Sequence, residues 1–163
     1  PMVDVSDKEM LFTLSERKPI REVYGSYTYF RDEDVLLAKV TPCFENGKSG
    51  IARGLTNGIG FGSSEFYVLR ADTTRVLPDI IYYTINSNRF IESGKNQMTG
   101  TGGLRRLAKD YVVNYPIAIP PMDKQIEIIE HINLEMAIVE QNKRLIEIFQ
   151  QKIRDKIIEV WGE

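Results

Sequence analysis

Residues 34–72 hold most of the side chains in this chain that could take part in chemistry. They include Cys43, the single cysteine, and the acidic residues Glu45 and Glu65. A cysteine nucleophile needs a base beside it, and the single histidine, His131, lies far along the chain. Nothing in the spacing places the two carboxylates at one substrate or one metal ion. We therefore predict no catalytic residue and a structural role for Cys43.

Two glycine-rich stretches resemble nucleotide-binding loops, and neither fits. "GIGFG" at residues 58–62 is followed by "SSE" and a strand-like run, whereas a dinucleotide-binding loop leads into a helix. "TGTGG" at residues 99–103 lacks the Gly-Lys-Ser/Thr ending of a P-loop. It can still hold one phosphate through backbone N–H groups, with Arg105 and Arg106 adding charge. With one Cys and one His, we predict no metal site and no cofactor.

Charge is unevenly distributed along the 163 residues, although the formal net charge is only −2. Residues 1–38 carry five Lys/Arg against eight Asp/Glu, residues 39–122 ten against six, and residues 123–163 six against nine. A basic middle segment therefore lies between two acidic flanks. This arrangement permits contact with nucleic acid despite the low isoelectric point.

The basic middle segment also carries many long polar side chains on glycine-rich loops. Arg, Lys, Asn and Gln are the side chains that read base edges and hold phosphates. A protein-binding surface fits the same composition equally well. The candidate DNA-binding residues are Lys39, Thr41, Asn46, Lys48, Arg53, Asn57, Ser63, Ser64, Lys95, Gln97, Thr99, Thr101, Arg105, Arg106 and Lys109.

The hydrophobic pattern predicts the elements that position these residues. Short apolar runs bounded by turn residues indicate buried strands, and Pro78 before apolar residues at helical spacing indicates the first turn of a helix. In chain order, we predict strands at residues 1–5, 35–40, 66–69 and 111–119, a helix at residues 78–91, and a basic glycine-rich loop at residues 95–106.

From Met122 onward the pattern is that of one long helix, with Asp123 as its N-cap. Apolar residues recur in steps of three, four and seven, as in a heptad stripe. Leu134, Ile138 and Leu145 are expected to widen this stripe on a neighbouring face. A small domain cannot cover a helix this long, so we predict a partner helix. The predicted pairing residues are Ile129, Ile132, Met136, Val139, Ile146, Phe149, Ile153 and Ile157, with Asn142 either setting the register or simply exposed.

The order of these motifs resembles a known family. "DVLLAKVTPCFENGK", "GIGFGSSEFYVLR" and "MTGTGGLRRLAKDYVVNYPIAIPPMDKQIEI" resemble the target recognition domain and the conserved helix of type I restriction-modification specificity subunits. The sequence departs from the family pattern at Glu33, where glycine is usual, and at Lys124, where glutamate is usual. The residues that match the family motifs are Lys39, Thr41, Asn46, Lys48, Gly60, Ser63 and Glu65.

The resemblance implies a fold and a division of the chain. We expect an α+β fold, with a mainly β target recognition domain and short helices at residues 1–121. One long helix at residues 122–163 is then expected to form an antiparallel coiled-coil-like pair. The recognition domain is expected to lack its opening segment. The shared motif is expected to act mostly as framework, with target-specific contacts at residues 53–57 and 95–106.

The resemblance also implies a function. The chain is expected to be non-catalytic and to read one half of a bipartite site in double-stranded DNA for a methyltransferase and endonuclease complex. Its expected partners are the methyltransferase (modification) subunits, the restriction subunit through them, and a second copy through the helix. A cytoplasmic location and no membrane contact are expected. The alternative is an interaction remnant that pairs through its helix and reads no DNA.

Overall fold

A computed structural model describes the protein at residues 5, 10 and 16–162. The chain divides into two compact units, Pro1–Met122 and Asp123–Glu163. The strand predicted at residues 1–5 falls almost entirely outside the described residues. None of the described helices is both long and apolar enough to cross a membrane.

The first unit combines runs of short strands with short helices, which confirms the predicted α+β class. The described strands are β1 (Thr28–Arg31), β2 (Asp34–Ala38), β3 (Ser49–Ile51), β4 (Ile59–Gly62), β5 (Phe66–Arg70), β6 (Met98–Thr101) and β7 (Leu104–Leu107). The described helices are α1 (Ile20–Val23), α2 (Pro78–Ile85), α3 (Asn88–Lys95), α4 (Lys109–Val113) and the long α5 (Met122–Trp161).

The strands predicted at residues 35–40 and 66–69 form the centre of the fold. β2 lies between β3 and β5 in an antiparallel sheet, and all five of its residues are buried. A strand covered on both faces reads as a continuous apolar run. Asp34 begins this strand as a buried charge. The Arg70 guanidinium donates to both of its carboxylate oxygens at 2.7 Å, and such pairing makes the burial of a carboxylate tolerable.

Gly60 and Gly62 of "GIGFG" lie in strand β4, although a glycine-rich stretch is typical of a loop, and Gly58 lies in the turn before this strand. β4 pairs with β1, and Gly60 lies opposite Phe30. A Cβ at Gly60 would collide with the Phe30 ring, so glycine is required there by packing. Phe30 in turn belongs to the core, together with Leu36 and Phe66. Cys43 is partly buried and packs against the same core.

The single helix predicted at residues 78–91 is wrong, because two helices occupy this segment. α2 ends before Asn86, whose side-chain amide donates to the Tyr82 carbonyl at 2.8 Å and to the Ser49 hydroxyl at 2.7 Å. The Ser87 hydroxyl then accepts from the Phe90 N–H at 3.2 Å and caps α3. Side chains that hydrogen-bond to nearby backbone stop one helix and start the next.

The strand predicted at residues 111–119 is also wrong, because this segment begins within helix α4. Tyr111 and Tyr115 pack on Phe90, with ring centroids 5.1 and 4.8 Å away. The Tyr111 hydroxyl donates to the Phe90 carbonyl at 2.6 Å. Aromatic and β-branched residues favour strands on average, but here an aromatic cluster with a partner distant in sequence decides the conformation.

α5 is a continuous helix of 40 residues, which makes it about 60 Å long at ~1.5 Å per residue. It begins at Met122, and the N-cap is the residue before the first helical one, so the prediction of Asp123 as N-cap is wrong by two positions. The Asp123 carboxylate lies in the first turn, where the positive end of the helix dipole favours a negative charge.

Most of the predicted pairing stripe is exposed on α5. Side chains of the stripe from residue 136 onward are 45% to 59% exposed, while Ile129 and Ile132 are partly buried and Asn142 is exposed. Leu134, Ile138 and Leu145 were expected beside the stripe, and a helix turns about 100° per residue. This turn places them roughly 110° around the helix from the centre of the stripe, on a neighbouring face. The exposed apolar residues of the stripe are Met136, Val139, Ile146, Phe149, Ile153 and Ile157.

Candidate nucleic-acid interface

The segment predicted as a loop at residues 95–106 forms most of a β-hairpin. β6 and β7 pair antiparallel, with Thr101 opposite Leu104. Gly102 and Gly103 form the two-residue turn and have positive φ angles of 65° and 79°. A type I′ turn requires this conformation at both positions, and a glycine pair adopts it without strain. The Gly-Gly pair was therefore a hairpin signal that the loop interpretation missed.

The motif segment around Thr41 holds this hairpin in place. The Leu107 N–H donates to the Lys39 carbonyl at 2.7 Å, and the Thr41 N–H donates to the Arg105 carbonyl at 3.0 Å. The Thr41 hydroxyl donates to the Gly103 carbonyl at 2.8 Å. It also accepts from the Arg105 N–H at 3.0 Å. Thr41 therefore fastens both the turn and strand β7 to the motif.

Arg105 and Arg106 are neighbours on β7, so their side chains point to opposite faces of the hairpin. Arg105 forms an ion pair with Glu45 through Nη2. Arg106 donates from Nε and Nη2 to the Glu65 carboxylate, with shortest distances of 3.0 and 2.8 Å. The hydrogen bonds from Arg106 lower the pKa of the Glu65 carboxyl. The two arginines therefore do not form a joint phosphate clamp.

The two faces of the hairpin differ in exposure. Met98 and Leu107 are buried on the face that also carries Arg105. Thr99 lies opposite Arg106 in the pairing of β6 with β7, and residues on one face of a strand alternate along it. The opposite face therefore carries Thr99, Thr101, Leu104 and Arg106, all of which are exposed. We call this set the outer face of the hairpin.

Other candidate residues lie close to this hairpin. The Lys39 ammonium is 5.2 Å from the centroid of the Tyr67 ring, and the Tyr67 hydroxyl donates to the Leu107 carbonyl at 2.8 Å. The Ser63 hydroxyl accepts from the Glu65 N–H at 3.1 Å. Lys39 and Ser63 are thus joined to the residues that support β7.

Arg53 is held by carboxylates, as are the two hairpin arginines. Its guanidinium donates to Glu33, with a shortest distance of 3.0 Å, and to the buried Asp79 at 2.7 Å. Within the described residues, the side-chain hydrogen bonds of Arg53 all go to these two carboxylates. Glu33, which stands where the family usually has glycine, adopts a positive φ of 67°. The structure therefore does not bring Arg53 to the hairpin.

The remaining candidates lie on the surface or at its edge. Lys95 ends α3 and pairs with Glu92 at 2.7 Å, while Lys48 is only partly exposed. Lys109 is the first residue of α4. The exposed members of the group are Asn46, Asn57, Ser64, Gln97 and Lys109.

Glu45, Glu65 and Asp79 have roles that the sequence did not reveal. Each binds an arginine that, judged from the sequence alone, would be available to bind DNA. Their acidic character was the available signal, but the pairing joins residues 26 to 60 positions apart, and charge spacing alone cannot predict such pairs. Within the described part of the chain, no group of His, Cys, Asp and Glu side chains could hold a metal ion.

Comparison with known proteins identifies homologues of the chain. It is 34% identical over 156 residues to the type I restriction enzyme EcoAI specificity subunit of Escherichia coli, covering 86% of this chain and 26% of that protein. It is 40% identical over 114 residues to the EcoEI specificity subunit of Escherichia coli, covering 70% of this chain and 19% of that protein. The chain is homologous to type I restriction enzyme specificity subunits. This confirms the resemblance carried by the motifs.

The specificity-subunit homology covers only part of each relative, since the chain spans about a quarter or less of their length. No protein-family model matches the chain. A chain from a structural study of complex assembly and conformational transition of the type I R-M system has a similar fold. The TM-score is 0.70 at 18% identity, over 88% of this chain and 36% of that one. At this identity the likeness shows the fold.

Proposed function

We propose that this chain recognises DNA for a type I restriction-modification complex and reads one half of a bipartite site. The observation that carries the proposal is its identity of 34% and 40% to two specificity subunits. The geometry supports it because an exposed two-stranded ribbon, β6–β7, carries polar side chains on its outer face. A ribbon of this kind fits the major groove of B-DNA, which is about 12 Å wide.

The long helix has a separate role in this proposal. Its exposed stripe pairs with the same stripe of a second copy, antiparallel, so that two recognition units lie a fixed distance apart. Fixed separation is what a two-part DNA site requires, as it is in other dimeric DNA-binding proteins. The paired helices then dock on the methyltransferase subunits, and the restriction subunit joins through them.

The chain itself performs no catalysis in this proposal, and the methyltransferase and endonuclease subunits perform the chemistry. Its single cysteine, Cys43, is a free thiol that packs against the core. A free thiol suits the reducing cytoplasm in which such a complex would act.

The test is to assemble the chain with its methyltransferase subunits and map the methylated sites on a genome. We expect a single sequence motif with two specific parts, and salt-sensitive binding of a duplex that contains it. Methylation without any sequence preference, or no binding of the mapped motif, would overturn the proposal.

The interaction remnant is a second candidate, and one observation favours it. Arg53, Arg105 and Arg106 are each paired with a carboxylate, which reduces the positive charge that the first unit presents to DNA. A pull-down with the methyltransferase, run beside a salt-titrated DNA shift assay, separates the candidates. Association without DNA affinity would favour the remnant.

A further inference from the structure

Glu65 is held in a fixed position beside the hairpin. Its N–H donates to the Ser63 hydroxyl at 3.1 Å, and its carbonyl accepts from the Lys39 N–H at 3.0 Å. Strand β5 begins at the next residue, Phe66, which is buried. The carboxylate therefore projects from backbone that is fastened on both sides.

This carboxylate binds only one edge of the Arg106 guanidinium. Nε and Nη2 donate to Glu65, while Nη1 has no hydrogen-bond partner among the described residues. The Arg106 side chain is 47% exposed. A guanidinium carries five N–H donors in a fixed planar fork, so the remaining edge can still donate to two adjacent acceptors.

The charge of Glu65 needs an explanation at a surface that contacts DNA. A carboxylate near phosphates is repelled by them, and this repulsion opposes binding. A carboxylate at this surface favours DNA binding if it orients a cation and the binding free energy gained from that orientation exceeds the free energy lost by repulsion. Holding Arg106 in one orientation before binding reduces the entropy that the arginine loses on contact.

We propose that Glu65 is a positioning residue for DNA binding, which holds Arg106 on the outer face of the hairpin so that its free edge donates to a pair of adjacent acceptors on DNA. These acceptors are either two phosphate oxygens or the O6 and N7 atoms of a guanine, because both pairs match the guanidinium fork. Thr99, Thr101 and Leu104 lie on the same face and contact the DNA around it. This inference rests on the proposed function of the chain in DNA recognition.

The decisive variant is Glu65→Gln, because two physical effects predict opposite results. If Glu65 acts only as a negative charge, its removal strengthens DNA binding. If it positions Arg106, its removal weakens binding, by about 3- to 30-fold, although the chain becomes less negative. Arg106→Ala is expected to weaken binding of the target by about 10- to 100-fold, as loss of a bidentate contact does.

The experiment measures equilibrium binding of the assembled complex to the mapped target duplex and to an unrelated duplex. The variants are Glu65→Gln, Arg106→Ala and the double variant, with Glu22→Gln as the matched control because Glu22 is an exposed carboxylate on α1. Since Glu65 acts through Arg106, the double variant is expected to bind no more weakly than Arg106→Ala alone. Glu22→Gln is expected to bind as the wild type does.

Arg106→Lys provides a second measurement that does not alter Glu65. Lysine keeps the positive charge but lacks the planar fork, so binding is expected to fall nearly as far as with alanine. Full binding by Arg106→Lys would overturn the inference. So would binding by Glu65→Gln equal to or tighter than wild type, or a double variant whose loss is the product of the two single losses.

The same data identify which acceptors Arg106 contacts. A phosphate contact predicts equal losses on the target and the unrelated duplex, with the salt slope reduced by about one. A guanine contact predicts loss on the target only, with relaxed preference at one G·C pair. Either result supports the inference. If the wild-type complex binds no duplex specifically, both this inference and the proposed function fail. The contrary outcomes named above for Arg106→Lys, Glu65→Gln and the double variant overturn this inference alone.

Discussion

Three arginines of the first unit each form an ion pair with a carboxylate: Arg53, Arg105 and Arg106. A count of charges along the sequence treats all three as available to DNA. The positive charge of the middle segment is therefore partly neutralised within the fold. Electrostatic attraction to phosphates depends on the charge that reaches the surface. In the proposed contact with DNA, Arg106 therefore contributes oriented hydrogen-bond donors more than net charge.

The Arg106–Glu65 pair predicts a pH dependence of folding stability. Because Arg106 lowers the pKa of Glu65 in the folded state, the pair stabilises the fold at pH values above the ordinary glutamate pKa of about 4.3. This stabilisation is lost as the pH falls through the lower folded pKa. Denaturant unfolding of the wild type between neutral and acidic pH is expected to show a steeper loss of stability than that of Glu65→Gln.

The Arg106→Gln variant serves as the control for this pH effect. It retains the Glu65 carboxyl but removes the group that lowers its pKa most, while the smaller effect of the Lys39 charge remains. Its pH profile is therefore expected to approach that of Glu65→Gln. Equal slopes for the wild type and both variants would contradict the pairing. The effect is expected to be small, because the Arg106 side chain is about half exposed to solvent, which weakens its attraction to Glu65.

At the scale of elements, α3 and α4 are joined by an aromatic cluster around Phe90. Phe44 and Phe90 are fully buried, with ring centroids 6.1 Å apart. Gly94 on α3 permits this packing, because a Cβ there would lie 2.5 Å from Phe44 Cζ and 3.0 Å from Tyr111. The cluster thereby positions α3 directly before the hairpin, which begins at Met98.

Gly94→Ala is predicted to destabilise the protein even though alanine favours helices. Alanine gains about 1 kcal/mol of helix propensity over glycine, whereas forcing a methyl group into a packed core costs about 1–3 kcal/mol. We expect the free energy of unfolding, measured by denaturant titration, to fall by up to about 2 kcal/mol. A stabilised variant would show that the ring of Phe44 moves aside easily.

Two comparisons make the Gly94 experiment specific. Glu92→Ala, on the same helix, removes an exposed side chain and is expected to change stability by less than about 0.5 kcal/mol. In a Phe44→Leu background, Gly94→Ala is expected to lower the free energy of unfolding by less, because leucine lacks the Cζ atom that the new methyl group would approach.

At the scale of the whole molecule, the chain consists of a small α+β unit and a helix far longer than such a unit can cover. The exposed stripe of α5 spans residues 136–157. A second exposed apolar set, Leu134, Ile138 and Leu145, lies on a neighbouring face of the same helix. Contiguous exposed apolar surface of this kind indicates contact with other chains, which agrees with the proposed pairing and docking of this helix.

Replacement of Val139 and Ile146 by aspartate together is predicted to abolish pairing of the chain. Each change places a charge in an apolar seam where it would lack a partner. Light scattering is expected to report a dimer for the wild type at micromolar concentration and a monomer for the variant.

The matched control for this seam variant is Ala137→Asp with Gln151→Asp. It adds the same two charges to exposed positions of the same helix, but away from the stripe, and is expected to remain a dimer. A wild type that is monomeric, or a seam variant that stays dimeric, would contradict the pairing.

Much of the fold and little of the candidate site could be predicted from the sequence. The apolar runs of β2 and β5 and the long pattern of α5 depend on local periodicity, and all three are present. The helix at residues 78–91 and the strand at residues 111–119 were wrong. Asn86 and Ser87 end one helix and begin the next, and packing on Phe90 makes residue 111 helical. These effects come from specific contacts, which the average propensities of residue types do not predict.

The sequence by itself determined the family, the α+β class and the helical nature of residues 122–161, because motif order and hydrophobic period are properties of the chain alone. Only the tertiary structure decided which polar residues hold the framework together and which extend from the surface. It assigned Thr41 to the framework, turned Arg105 inward toward Glu45, and left Arg106 on the outer face beside Glu65. These assignments depend on pairs of residues 41 to 64 positions apart, and only folding brings such residues within a few ångströms of one another.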